Sequence, residues 1–130
     1  MEEELKRVIR EHDDLDSAAG SLEALLHEGP EKLPLILEAR STFANDLSEH
    51  LLKEHDVLEL ALARRGNGDQ FSRKRLDEEL ERLRWDWEEC LASWDEESAA
   101  AQWDLFAEHT AALLSRVRRR ISLETDLLRT

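Results

Sequence analysis

Apolar residues recur at alternating steps of three and four along nearly the whole chain, a spacing that buries one face of a helix and suits little else. The first stripe reads Leu5, Val8, His12, Leu15, Ala19, Leu22, Leu26, and the second reads Ile36, Arg40, Phe43, Leu47, His50, Glu54, Val57, Ala61. The third reads Arg73, Leu76, Leu80, Leu83, Trp87, Cys90, Trp94, and the fourth Trp103, Phe106, Thr110, Leu113, Val117, Arg120, Glu124, Leu127. Only four Gly and two Pro interrupt the chain, and Tyr is absent. With Leu, Ala, Glu and Arg abundant, that composition favours helix over sheet.

The breaks set the boundaries. A first helix is expected over residues 2–27, with Glu2, Glu3 and Glu4 at the positive end of its dipole and Gly29-Pro30 stopping it. A second starts between Pro30 and Pro34, since proline is tolerated in a first turn, and runs to about Arg64. Gly66-Asn67-Gly68-Asp69 is a loop. The third helix is expected over 70–94 and the fourth over 98–128, joined through Trp94-Asp95-Glu96-Glu97-Ser98, where Asp and Ser can cap. Four long helices with short connections predict an all-α, antiparallel up-down-up-down four-helix bundle, a single domain over residues 1–130.

Two stripes carry a polar pair one turn apart where a core needs oil: His50 with Glu54, and Arg120 with Glu124. Unpaired burial of such groups costs several kcal/mol, so each requires a partner or a metal. His12 on the first stripe and Arg73 on the third are also inward, with Asp77 at the edge of the third. The start of the first helix, end of the second, start of the third and end of the fourth share one end of an antiparallel bundle. At a rise of about 1.5 Å per residue the levels agree within about two turns, so these side chains can converge.

At this point a resemblance becomes specific. The runs VIREHDDLDSAAGSLEALLHEGP and FANDLSEHLLKEHDVLELALA resemble the first two helices of the hemerythrin-like (HHE cation-binding) family, and RKRLDEELERL and LLSRVRRRISLETDLL resemble its third and fourth. The resemblance implies a four-helix bundle with a non-heme di-iron centre used in oxygen binding, iron handling or sensing. It implies ligands at His12, His50, Glu54 and Glu124. Where the family has two histidines on its third helix and one on its fourth, this chain has Arg73, Asp77 and Arg120. Arginine stays protonated and offers no lone pair to a metal. The expectation is therefore a half-kept site holding at most one ion, iron or else Mn or Zn, since mixed imidazole and carboxylate ligation discriminates poorly among them. The implied role is non-enzymatic binding or sensing. The alternative is a metal-free interaction module in which Arg73 and Arg120 pair with Glu54, Glu124 and Asp77.

Other residues offer less. His27, His55 and His109 lie off the stripes, Trp87 and Trp94 read as core, and Trp85 could mark a contact surface. Cys90, the one cysteine, reads as an inert core thiol with no basic neighbour in sequence, and a lone cysteine suits a reducing compartment. No catalytic triad pattern or glycine-rich phosphate loop is present. The charged N-terminus and lack of a long apolar run predict a soluble, cytoplasmic protein without a membrane span. A net charge of −13 argues against nucleic acid as a partner. Basic residues nonetheless gather at the proposed site end, including Arg7, Arg10, Arg73, Arg116, Arg118, Arg119 and Arg120. That end could meet an anion or an acidic partner, or its charge could simply complement helix termini.

Overall fold

The computed structural model describes residues 2–64 and 70–129, without the side chains of Glu2, Leu52, His55, Ala61, Leu62, Arg64, Gln70, Phe71, Ser72, Arg73 and Arg129. The expected loop at Gly66 to Asp69 and the Arg73 and His55 side chains lie outside what is described. The order is α1 (Glu2–Glu28), a 3-10 turn (Pro30–Lys32), α2 (Leu33–Arg64), α3 (Gln70–Ser93), α4 (Glu96–Ala101) and α5 (Trp103–Arg129). Among the described residues there is no strand, and no helix is long and apolar enough to cross a membrane.

The helix ends follow local chemistry. Gly29 closes α1 at φ 108°, a backbone region that a side chain would strain, and Pro30 opens the 3-10 turn that feeds α2. At the far end of α3 the buried Arg40 of α2 donates to the carbonyls of Trp94 (2.9 Å) and Cys90 (3.5 Å). A cation there also complements the negative end of the helix dipole. Asp95 then caps α4 through a capping box: its carboxylate accepts from the Ser98 amide at 2.8 Å, and the Asp95 amide donates to the Ser98 hydroxyl at 3.0 Å.

One expectation is corrected here. The fourth segment is not a single helix from Ser98, because the backbone breaks at Gln102 (φ −126°, ψ 52°). The short α4 packs on α2 and α5, whereas α5 runs on to pack against α1, α2 and α3. No Gly or Pro marks this bend; tertiary packing around the buried Ala99, Trp94 and Phe106 makes it.

The main core joins Leu15, Ala19 and Leu22 of α1 to Ile36, Phe43 and Leu47 of α2, Leu83 and Trp87 of α3, and Phe106, Leu114 and Val117 of α5. A second, smaller cluster holds Val8, Val57, Leu58 and Leu128. Between the two along α1, α2 and α5 come His12, His50, Glu54 and Glu124, all buried. His12 of α1 meets Thr125 of α5 and Asp16 meets Arg118, so these helices run in opposite directions.

Candidate metal centre

The polar layer is built from three helices. His12 comes from α1, His50 and Glu54 from one turn of α2, and Glu124 from α5; their residue exposures are 1%, 4%, 2% and 1%. His12, His50 and Glu54 each offer a ligand atom, and the three atoms lie within 4.8 Å of one another. Glu54 Oε2 stands 3.1 Å from His12 Nε2 and 2.7 Å from His50 Nε2. Glu124 Oε1 stands 3.8 Å from His12 Nε2. The two imidazole rings meet edge to face at 4.8 Å.

Both imidazoles are held from behind. His12 Nδ1 lies 2.8 Å from the Thr125 hydroxyl, which donates its own proton to the Ile121 carbonyl at 2.7 Å. The hydroxyl can then only accept from His12, which places a proton on Nδ1 and turns Nε2 to the centre. His50 Nδ1 donates to Glu11 Oε2 at 2.9 Å. A carboxylate or hydroxyl on the outer nitrogen is the usual support of a metal-binding histidine, because it fixes tautomer and ring orientation. His50 Nε2 has the Glu54 carboxylate 2.7 Å away, whereas Glu54 Oε1 is buried without a hydrogen bond. Buried polar groups are rarely left so, and a cation would satisfy Glu54 Oε1.

Ligands about 2.1 Å from a small transition-metal ion lie roughly 3.0–3.5 Å from one another. The contacts to Glu54 and Glu124 run from 2.7 to 3.8 Å and His12, His50 and Glu54 keep their donor atoms within 4.8 Å, so the side chains would have to rearrange around an ion. Two imidazoles and the Glu54 carboxylate, with Glu124 Oε1 3.8 Å from His12, are donors of the kind that iron, manganese or zinc accepts.

Arg120 enters from the other side of Glu124. Its Nε donates to Glu124 Oε2 at 3.1 Å and its Nη1 to the Leu76 carbonyl of α3 at 2.9 Å. Glu124 thus gives one oxygen to the guanidinium and turns the other toward His12. Asp77, expected at the edge of the α3 stripe, is exposed.

The protonation pattern follows. Burial and then the charge of Glu54 push the Glu124 carboxyl up, to about 8, against the pull of Arg120. Burial also pushes Glu54 upward, but the hydrogen bonds from the histidines and the charge of His50 outweigh it and hold the group well below the usual carboxylate range. Burial lowers His50, yet contact with Glu54 and then Glu11 wins and raises it. Two carboxylates this close share one proton more readily than they carry two charges.

The expected histidines and glutamates meet, but sequence reasoning missed their supports. Glu11 and Thr125 lie off the inward stripes, beside His12 and Glu124 in sequence, where no periodicity singles them out. It also missed Arg40 as a neighbour of Cys90. The thiol is buried, which pushes its pKa up, and the Arg40 charge only partly opposes this. The arginine run of α5 divides: Arg116 pairs with Asp86 of α3 at 2.7 Å, and Arg118 pairs with Asp16 and Glu23 of α1 at 2.8 and 2.9 Å. His27 and His109 are exposed, the latter against Trp94, and Trp85 is 67% exposed. Comparison of the chain with protein-family models, with curated proteins and with solved structures gives no match.

Proposed function

We propose that this protein binds one transition-metal ion per chain through His12, His50, Glu54 and Glu124, inside an antiparallel four-helix bundle of hemerythrin-like topology. The observation that carries this reading is the pair of buried imidazoles turned to one carboxylate oxygen, each braced at Nδ1 by an outer acceptor. The sequence resemblance makes iron the first candidate. A bound ion would supply a redox-active Lewis acid in a site closed above and below by apolar layers. The role is binding or sensing.

A second feature favours a cation. The cavity of about 210 Å³ between α1 and α2 reaches His50 and is lined by Glu11, Asp14, Asp46 and Glu49, with Lys53 as the one base. Acidic walls beside a buried site raise the local concentration of cations and speed their entry.

The competing reading is a metal-free interaction module. It draws on the Arg120–Glu124 bridge and on the closeness of His12 and His50 to Glu54, which already compensate much of the buried charge. Elemental analysis and anaerobic iron(II) titration of protein made without a histidine tag separate the two. One equivalent, lost in His50→Ala, is expected; no metal by either method would leave the interaction module standing.

A further inference from the structure

We infer that the cavity between α3 and α5 is a binding site for a small oxyanion of the phosphate class, held by Arg82, Arg116, Arg119 and Arg120. The cavity measures about 360 Å³, and its remaining walls are Glu79, Leu83 and Leu123. Four guanidinium groups share one hollow in a chain whose net charge is −13.

Their charge is only partly answered within the protein. Arg116 pairs with Asp86 and Arg120 with Glu124. Arg82 and Arg119 are exposed, and no ion pair engages either among the described residues. Glu79, the one acid in the wall, is engaged by Arg75 at 3.4 Å. Like charges three and four residues apart on a helix repel, so Arg116, Arg119 and Arg120 on one face of α5 favour an anion between them and Arg82.

The chemistry narrows the ligand. Planar guanidinium forks match the oxygens of phosphate and can bind them two at a time. Arg120 is fixed beforehand by its bonds to Glu124 and the Leu76 carbonyl, and Arg116 by Asp86, so little side-chain freedom is lost there on binding. Buried Leu83 makes part of the wall apolar, which strengthens the attraction there. The volume is ample for inorganic phosphate or a small phosphomonoester. The site stands whether or not an ion occupies the histidine centre.

The test is calorimetric titration of chelator-treated, tag-free protein in about 150 mM chloride, with inorganic phosphate in one arm and glycerol 3-phosphate in another. One equivalent binding with Kd below about 1 mM is expected, weakened about tenfold or more in an Arg82→Ser/Arg119→Ser variant that melts as the wild type does. Equal affinity in the two arms assigns the free oxyanion, and tighter binding of glycerol 3-phosphate assigns a phosphomonoester. No saturable binding in either arm, or binding that the double variant leaves unchanged, overturns the inference. So does a glutamate-rich peptide binding where neither phosphate does, which would make the basic hollow a protein contact. Because the metal is removed first, failure here leaves the metal-binding proposal untouched.

Discussion

Arg120 Nε donates to Glu124 Oε2 at 3.1 Å while the opposite oxygen of that carboxylate faces His12. One side chain therefore joins a guanidinium to an imidazole. This single contact ties the charge balance of the buried layer to the proposed metal site.

Removing that guanidinium should be costly with or without metal. Arg120 is 9% exposed at its side chain and Glu124 1%, so Arg120→Leu leaves a buried carboxyl group without its donor. Breaking a buried pair from one side costs about 3–5 kcal/mol. Here Glu124, with its pKa raised to about 8, already carries a proton for much of the time at neutral pH, which places the effect toward the lower end. Adding Glu124→Leu should recover part of the loss, and denaturant melts of the four proteins measure this coupling. Simple additivity, or a cost for Arg120→Leu below about 1 kcal/mol, would refute the direct pair.

Metal loading should give one equivalent per chain and raise the melting temperature, since a ligand that binds only the folded state stabilises it by mass action. Calorimetric scans with and without stoichiometric iron(II), under anaerobic conditions, check the shift. Two equivalents would contradict the proposed single site, because the positive charge of Arg120 disfavours a second ion nearby.

Glu11 should matter to metal affinity without being a ligand. It touches the outer nitrogen of His50 at 2.9 Å and is itself part-exposed. Glu11→Ala should lower affinity about 10–100-fold, the usual effect of losing an outer support, while the fold persists. Competition against a chromophoric chelator measures it, and unchanged affinity would remove Glu11 from the site.

The metal-free protein should be most stable at mildly acidic pH. Glu124, packed against His12 of α1, Glu54 and His50 of α2 and Arg120 on its own helix, has its pKa raised from 4.5 to about 8. Its stabilisation is complete below 4.5 and disappears as pH rises through 8. His50 is also raised, so its contribution is present below 6.5 and fades above. Glu54 is depressed and acts oppositely, losing its stabilisation as pH falls below 4.5. Urea midpoints should therefore be higher near pH 5.5 than near pH 8.5, and should drop again below about pH 4. A midpoint that climbs steadily from acid to alkaline pH would contradict the assignment of the buried proton.

Much of the helix layout was readable in advance because it depends on local periodicity and punctuation. Gly29-Pro30 had to stop a helix, Asp95 could cap one, and the spacing of His12, His50, Glu54 and Glu124 put each on an inward face. The break at Gln102 was not readable, since nothing in its own sequence opposes helix; the demand comes from α4 seating on α2.

The sequence by itself determined which faces are apolar, and hence that histidines and glutamates had to be buried among them. Tertiary structure alone decided their partners. Thr125 reaches His12 across 113 residues, Glu11 reaches His50 across 39, and Arg120 fixes itself to a carbonyl of α3. It also decided that Arg116 and Arg118 spend their charge on acids of α3 and α1, while Arg82 and Arg119 are left at the hollow between α3 and α5. Periodicity records only the direction a side chain points from its own helix. What it meets there depends on the rotation and height of the neighbouring helix, which no single stretch of sequence encodes.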